Sequence, residues 1–153
     1  MMLRALAFVM CLVATHAQAS DFTIEQLTQM NQTELDALYA AAPAGVIPDG
    51  ESNGKAVFKA GSLLATPSMI LLGLIWQGKV FDAEEGILLN KVFGFHAVKA
   101  EVYRGVSAFD GKESIIVDYS NTSLLAHTVR DEMRQVGKDL YLGRAYTRTL
   151  FGP

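Results

Sequence analysis

One dipeptide constrains the fold of this chain more than any other feature. Asp110-Gly111 lies between two runs, residues 97–108 and 113–119, in which apolar and polar residues alternate. An Asp-Gly pair between such runs is a strong signal for a β-hairpin, because a type I′ turn needs positive φ at both central residues. The chain is therefore predicted to contain an antiparallel sheet.

The register of this hairpin would divide its residues between two faces. A two-residue loop pairs Phe109 with Lys112, Val106 with Ile115, Arg104 with Val117, Tyr103 with Asp118 and Val102 with Tyr119. One face is then mainly apolar, with Val98, Ala100, Val102, Val106, Ile115, Val117 and Tyr119 interrupted by Arg104 and Glu113. Since a slip of one residue would invert every side chain, the pattern favours this register and predicts that the apolar face meets the core.

Four further segments are predicted as strands. Residues 76–81 and 87–93 flank a Gly-containing turn at 82–86, which indicates a second hairpin. Residues 139–148 alternate near the end of the chain, and residues 55–58 are a short strand candidate.

Two segments in the first half are predicted as helices. Residues 21–42 have apolar residues at helical spacing, with a second start signal at Thr33 as N-cap and an end before Pro43. Residues 63–76 are apolar on nearly all sides, which is typical of a buried core helix. Contact with a membrane is the alternative for this second segment.

A last helix is predicted before the final strand. Asn121-Thr122-Ser123 would cap it, and it would run to about Val136 and stop at Gly137. Its buried side would carry Leu125, Val129 and Met133. The predicted fold class is α+β: a mainly antiparallel, strongly curved or barrel-like sheet of about six strands, with about three or four helices.

The N-terminus predicts export. Arg4 precedes an uncharged apolar run, residues 5–15, and Ala17-Gln18-Ala19 supplies the small residues that precede a cleavage site. We expect residues 1–19 to be a signal peptide cleaved after Ala19, and residues 20–153 to form one β-rich domain with helices. A membrane anchor or a buried helix is the alternative, but the run is shorter than the roughly 20 residues of a bilayer span.

Cysteine content and charge restrict the environment and the partners. The only cysteine, Cys11, lies in the predicted leader, which favours a periplasmic or secreted bacterial protein without disulfides. The formal net charge is −3, and Lys and Arg do not cluster, which argues against nucleic acid as a partner. His96 and His127 lack a paired ligand spacing, so no metal and no cofactor is predicted. The oligomeric state is left open.

Several short sequence motifs lie between Trp76 and Tyr146. They are Trp76-Gln77-Gly78-Lys79-Val80-Phe81-Asp82, Phe109-Asp110-Gly111-Lys112-Glu113, Asp118-Tyr119-Ser120, Val129-Arg130-Asp131-Glu132-Met133-Arg134 and Leu140-Tyr141-Leu142-Gly143. This set resembles a group of uncharacterised bacterial exported proteins, and at fold level the chain is similar to lipocalin-type (calycin) barrels. The first resemblance implies no function, whereas the second implies a sheet that holds an apolar ligand.

The candidate site is a set of Asp, Arg and Tyr side chains. Its members are Asp118, Tyr119, Arg130, Arg144 and Tyr146, with Tyr103, Asp131, Arg134 and Tyr141 in the same pattern. Alternation puts Arg144 on an apolar face, where a buried guanidinium must be paired, and Asp118 or Glu132 is available. The set is interpreted either as a clamp for an anion or carboxylate, or as a structural ion pair that fastens a helix to the sheet.

Three functions remain open. The first is a small exported protein that binds an apolar or amphipathic, lipid-like molecule on its curved sheet. The second is an enzyme that uses an Asp/Arg/Tyr pocket for acid–base chemistry. A triad of Ser120, His127 and Asp118 is not favoured, since no serine lies in a G-x-S-x-G elbow. The third is an envelope interaction module that uses residues 63–76 or a sheet edge.

Overall fold

A computed structural model of the chain describes residues 22–56, 76–124 and 126–148. The predicted signal peptide lies outside these residues, as does the predicted apolar helix up to residue 75. Over the described residues, two short α-helices precede one antiparallel sheet of seven strands. Neither described helix is long and apolar enough to cross a membrane.

Each strand of the sheet pairs with its neighbours along the chain, and the sheet curls into a half-barrel. The helices are α1 (Ile24–Gln29) and α2 (Gln32–Ala41). The strands are β1 (Gly50–Glu51), β2 (Trp76–Asp82), β3 (Ile87–Val92), β4 (Phe95–Val106), β5 (Glu113–Asp118), β6 (Val129–Gly137) and β7 (Leu140–Thr147). The predicted curved antiparallel sheet is confirmed, but the described residues contain seven strands and two helices instead of about six and about three or four.

Most predicted strands are confirmed with small changes at their ends. Residues 76–81, 87–93 and 139–148 correspond to β2, β3 and β7. The candidate strand at 55–58 is not confirmed, because Lys55 and Ala56 lie outside any strand and the other two residues lie outside the described part.

The second helix start predicted within residues 21–42 is present, but its N-cap is Asn31 instead of Thr33. Both helices begin with a capping box. In this motif the side chains of the N-cap residue and of the third helical residue each accept a hydrogen bond from the other's backbone N–H. The Asn31 side chain accepts from the Glu34 N–H at 3.0 Å, and the Glu34 carboxylate accepts from the Asn31 N–H at 2.7 Å. Thr23 and its partner three residues later do the same for α1.

The prediction of a helix from residues 121–123 to about Val136 is wrong. Of the described residues before Val129, Asn121, Thr122, Leu124 and residues 126–128 lie in turns, and β6 occupies the remainder of the predicted helix. Leu125, predicted on its buried side, lies outside the described residues. The spacing of His127, Arg130, Asp131 and Arg134, three or four residues apart, is typical of one side of a helix and favoured a solvated face opposite the buried one. In the sheet, β6 pairs with β5 on one side and β7 on the other, and Glu132 and Arg134 are fully buried. Tertiary pairing therefore overrides the local pattern.

The β4–β5 hairpin is present, but in a different register. Val106 lies opposite Glu113 and Val102 opposite Val117, two residues away from the predicted pairing. A shift of two residues leaves each side chain on its predicted face, because strand side chains alternate with period two. The apolar face therefore meets the core as predicted from Ala100 to Val102 and from Ile115 to Tyr119. Val106 of the same predicted face is 67% exposed at the end of β4.

Contacts with β6 explain why this hairpin has a longer loop, residues 107–112, than the predicted two residues. The Asp110 carboxylate accepts two hydrogen bonds from Arg134, and the Ser107 hydroxyl bonds Glu132. A two-residue turn would remove both connections. The tight turn with positive φ at both positions occurs instead at Phe93-Gly94, where φ is 51° and 77°, between β3 and β4.

The sheet has two differently covered faces. The groove face carries the main hydrophobic cluster: Phe81, Leu88, Ala100, Val102, Ile115, Val117, Tyr119 and Met133. The helix face carries Ser114, Ile116, Glu132 and Arg134, with α2 packed beside β6. A second cluster, formed by Leu27, Leu35 and Val136, joins the helices to the end of β6.

Candidate functional site

A groove of about 1300 Å³ follows the groove face of the sheet and continues around the β7 edge to the helices, where Leu27, Leu35 and Tyr39 line it. Its floor includes Phe81, Val98 and Met133, and its walls are residues 46–56, which follow α2, and residues 139–145 on the β7 edge. The side chains of this floor are mainly apolar. A concave apolar surface with a few polar groups is the usual form of a small-molecule site.

A connected set of polar and aromatic side chains lies within this groove, and we name it the groove cluster: Trp76, Lys79, Asn90, Tyr119 and Asp131. The Lys79 ammonium donates to Asp131 Oδ2 at 2.9 Å, to Tyr119 Oη at 2.8 Å and to Asn90 Oδ1 at 3.1 Å. Tyr119 Oη donates to Asp131 Oδ2 at 3.2 Å and accepts from Asn90 Nδ2 at 2.9 Å. The Trp76 indole N–H donates to Asn90 Oδ1 at 3.0 Å. All three N–H groups of Lys79 are thus used.

Strand pairing brings these residues together from the three strands β2, β3 and β6 and from Tyr119, the residue after β5. Lys79 on β2 lies opposite Asn90 on β3, and Asp131 on β6 lies opposite Val117 on β5. Because side chains alternate along a strand, Lys79 shares the face of Phe81 two residues later. Polar residues at such inward positions must satisfy one another, and the groove cluster does so.

A β-bulge at Gly78 completes the arrangement on β2. The register shifts between Trp76 and Gly78, and the Trp76 ring centroid lies 5.4 Å from Lys79 Nζ. Gly78 has φ of 141°, and a Cβ there would lie only 2.2 Å from the Ser52 carbonyl oxygen. Any larger residue would therefore push the wall of the groove away from β2.

The electrostatics of the groove cluster hold its groups in their ordinary charge states. Burial by itself lowers the pKa of Lys79, but Asp131 and Tyr119 together outweigh burial, so that the pKa lies above its ordinary value. Burial, reinforced by the negative charge of Asp131, raises the pKa of Tyr119. At neutral pH the cluster therefore contains a protonated lysine and a protonated phenol.

A second polar network lies on the helix face around Arg134. This guanidinium donates to both oxygens of Asp110, at 2.8 and 2.6 Å, to Ser114 Oγ at 2.8 Å and to the Tyr39 carbonyl at 3.0 Å. The Arg134 hydrogen bonds lower the pKa of Asp110 to about 2, against the opposing effect of desolvation. Arg134 thus connects β6 with α2 and with the β4–β5 loop.

The predicted site residue Asp118 also lies on the helix face. Both its oxygens accept from Arg148, at 2.9 and 2.6 Å, and Tyr103 Oη donates to it at 3.1 Å. The Arg148 hydrogen bonds hold the pKa of Asp118 well below its usual range, although desolvation opposes them. Arg130, another predicted site residue, bonds Glu132 through its Nε at 3.2 Å. These pairs have the geometry of structural ion pairs.

The structure does not bring the predicted site residues together in one place. Tyr119 belongs to the groove cluster. Arg144 lines the edge of the groove, but its guanidinium lies over the Phe109 ring, 4.1 Å from the centroid, and pairs with Asp36 of α2. Tyr146 accepts from Arg144 Nε at 3.2 Å. The partner of Arg144 is thus neither Asp118 nor Glu132.

The sequence pattern contained a signal for the residues that were missed. Within the predicted strands 76–81 and 87–93, Lys79 lies two positions from Phe81 and Asn90 lies two positions from Leu88, so each shares a strand face with an apolar residue. Polar residues in such inward positions are the ones expected to form a buried network. They were missed because only Asp, Arg and Tyr were grouped.

No group of three His, Cys, Asp or Glu side chains within the described ranges is arranged to hold a metal ion. The candidate triad is not assembled either. His127 Nδ1 contacts the Leu124 carbonyl at 2.9 Å, and Asp118 accepts from the Ser120 backbone N–H.

No protein-family model, curated protein or solved structure matches this chain. The resemblance to bacterial exported proteins and to lipocalin-type barrels therefore stays a prediction without support from these comparisons.

Proposed function

We propose that this protein binds one amphipathic, lipid-like small molecule in the groove of its curled sheet. The observation that carries the proposal is a groove of about 1300 Å³ with a mainly apolar floor and one hydrogen-bonded polar cluster. An apolar chain would lie along the groove face, and a polar end would meet the groove cluster. Export to the periplasm or the medium belongs to the same proposal.

The charge states of the described groups favour binding over acid–base catalysis. A general acid or base works best with a pKa near the operating pH. The pKa shifts of Lys79, Tyr119 and Asp118 all move away from neutrality, so these groups keep their protons or their charge. These pKa shifts therefore do not support the alternative of an enzyme that uses Asp, Arg and Tyr side chains for acid–base catalysis.

The alternative of an interaction module rests partly on residues outside the described part. Among the described residues, Phe93 and Phe95 at the β3–β4 turn are 67% and 74% exposed. Two such side chains are a small apolar surface, and single exposed apolar residues are common on soluble proteins. This alternative stays a prediction.

A substitution at the β7 edge of the groove tests the proposal. Ala145 is exposed and lines the groove, so Ala145→Trp should narrow the groove without disturbing the main core. Titration with the uncharged fluorophore N-phenylnaphthylamine should give saturable fluorescence enhancement by the native protein. In Ala145→Trp the affinity should fall by about tenfold, about 1.4 kcal/mol.

The matched control is Ala83→Trp. Ala83 is exposed in the β2–β3 turn and does not line the groove. This variant should bind the fluorophore as the native protein does. Absence of saturable binding by the native protein, or equal loss in both variants, would contradict the proposed function.

A further inference from the structure

The groove cluster offers a ligand an acceptor instead of a free cation. Lys79 uses all three N–H groups on Asp131, Tyr119 and Asn90. Asn90 Oδ1 already accepts from both Trp76 and Lys79. A carboxylate in the groove would therefore have to break an existing bond before it could reach the ammonium.

One oxygen of the groove cluster remains available. Asp131 Oδ2 takes the hydrogen bonds from Lys79 and Tyr119. Asp131 Oδ1 receives no hydrogen bond from any group in the described part of the chain, and the Asp131 side chain is 18% exposed in the groove. This oxygen can accept a hydrogen bond from a ligand.

The charged side chains that line the groove also favour a ligand without a negative charge. Of the described residues that line it, Asp36, Glu51 and Asp131 are paired with Arg144, Lys91 and Lys79, which leaves the carboxylates of Asp49 and Asp139 against Lys55. Since acids outnumber bases, the lining repels an anion. A cation at Asp131 would in turn lie beside the Lys79 ammonium, which is 2.9 Å from that carboxylate. An uncharged hydroxyl meets neither penalty.

We infer that the polar end of the ligand is an uncharged hydroxyl group that donates to Asp131 Oδ1, as in a monoacylglycerol or a long-chain alcohol. This inference rests on the proposed function and names the class of ligand. It departs from the carboxylate clamp that the sequence suggested, because Arg144 is held over Phe109 and beside Asp36 on the other side of β7.

A panel of ligands with one chain length tests the inference. Monolauroylglycerol, laurate and dodecylammonium are each titrated, below their micelle-forming concentrations, against native protein loaded with N-phenylnaphthylamine. Monolauroylglycerol should displace the fluorophore with at least about tenfold higher affinity than either charged ligand. Equal or tighter binding of laurate or dodecylammonium would overturn the inference and leave the proposed function standing. Displacement by none of the three would overturn both.

A variant of Asp131 tests the role of that residue directly. Asp131→Asn removes the partner charge of Lys79, so the affinity ratio of monolauroylglycerol to laurate should fall by about tenfold or more.

Tyr119→Phe keeps the ion pair but frees one N–H of Lys79, so the same affinity ratio should also fall, but by less than in Asp131→Asn. Asp82→Asn, an exposed site outside the groove, should leave it unchanged. An unchanged ratio in both folded groove variants would contradict the assignment.

Discussion

Single residues of this protein illustrate how buried charge is accommodated in a small sheet. Asp118, Glu132 and Arg134 are all at most 6% exposed, and each is bound by several donors or acceptors. An uncompensated charge in such a place would be costly, whereas a paired one with satisfied hydrogen bonds is tolerated. The same rule explains why Lys79 is a fixed part of the groove floor instead of a reactive amine.

The carboxylate of Asp110 predicts a dependence of stability on pH. Its pKa in the folded protein is about 2, below the value of about 3.9 expected in an unfolded chain. A lowered pKa contributes stability that is present above the unfolded value and is lost as the pH falls through the folded one. Thermal unfolding followed by circular dichroism should show Asp110→Asn to be less stable than the native protein at about pH 7, with the difference shrinking between about pH 4 and 2.

The control for this measurement is Asp82→Asn, an exposed aspartate at the end of β2. Its difference from the native protein should be small over the same range. A difference between native protein and Asp110→Asn that stays constant down to about pH 2 would show that the Arg134 contact does not lower this pKa.

Arg134 connects β6 with α2 and with the loop 107–112, and we expect it to contribute more to the free energy of unfolding than an exposed ion pair does. Arg134→Met removes the hydrogen bonds to Asp110, Ser114 and the Tyr39 carbonyl, and leaves buried acceptors without donors. The free energy of unfolding should fall by about 3 kcal/mol. Hydrogen exchange should accelerate first in α2 and in the loop 107–112, because both lose their connection to β6.

Arg104→Met is the matched control at the level of elements. Arg104 pairs with Glu113 on the surface, with the two side chains 45% and 60% exposed. Its loss should cost about 1 kcal/mol or less. Equal destabilisation by the two substitutions, or unchanged exchange in α2 of Arg134→Met, would contradict this account of how the helix is fastened.

The elements that were predicted correctly are those whose signal is local. β2, β3 and β7 follow from period-two alternation, and the β4–β5 hairpin from its Asp-Gly pair. β6 was missed because Glu132 and Arg134 look like solvated residues until their partners on other elements are known. The register of the hairpin depended on Asp110 reaching Arg134, a contact between residues 24 positions apart.

The candidate site was only partly predictable for the same reason. Tyr119 was identified, and Asp131 was grouped with it, since both stand in strongly patterned segments. Lys79 and Asn90 lie opposite each other in the β2–β3 hairpin, but Tyr119 and Asp131, which complete the cluster, are 40 and 52 positions from Lys79 in sequence. A single sequence predicts which side chains face inward, but it does not give the partner that each one meets.

The described part of the molecule combines a packed core with a groove on one side. The main cluster fills the sheet from β2 to β6, and residues 46–56 and the β7 edge, which pack against it through Ile47 and Tyr141, line the groove. Such a half-barrel can bind an elongated ligand. We therefore expect the groove to be a ligand site.

Native mass spectrometry of the 153-residue chain, expressed with residues 1–19 included and purified without detergent, tests this expectation. The account predicts a folded species heavier than the bare polypeptide by one small molecule, which denaturation releases and which Ala145→Trp lacks. A spectrum with the bare polypeptide alone, still unchanged after incubation with monolauroylglycerol, would contradict it.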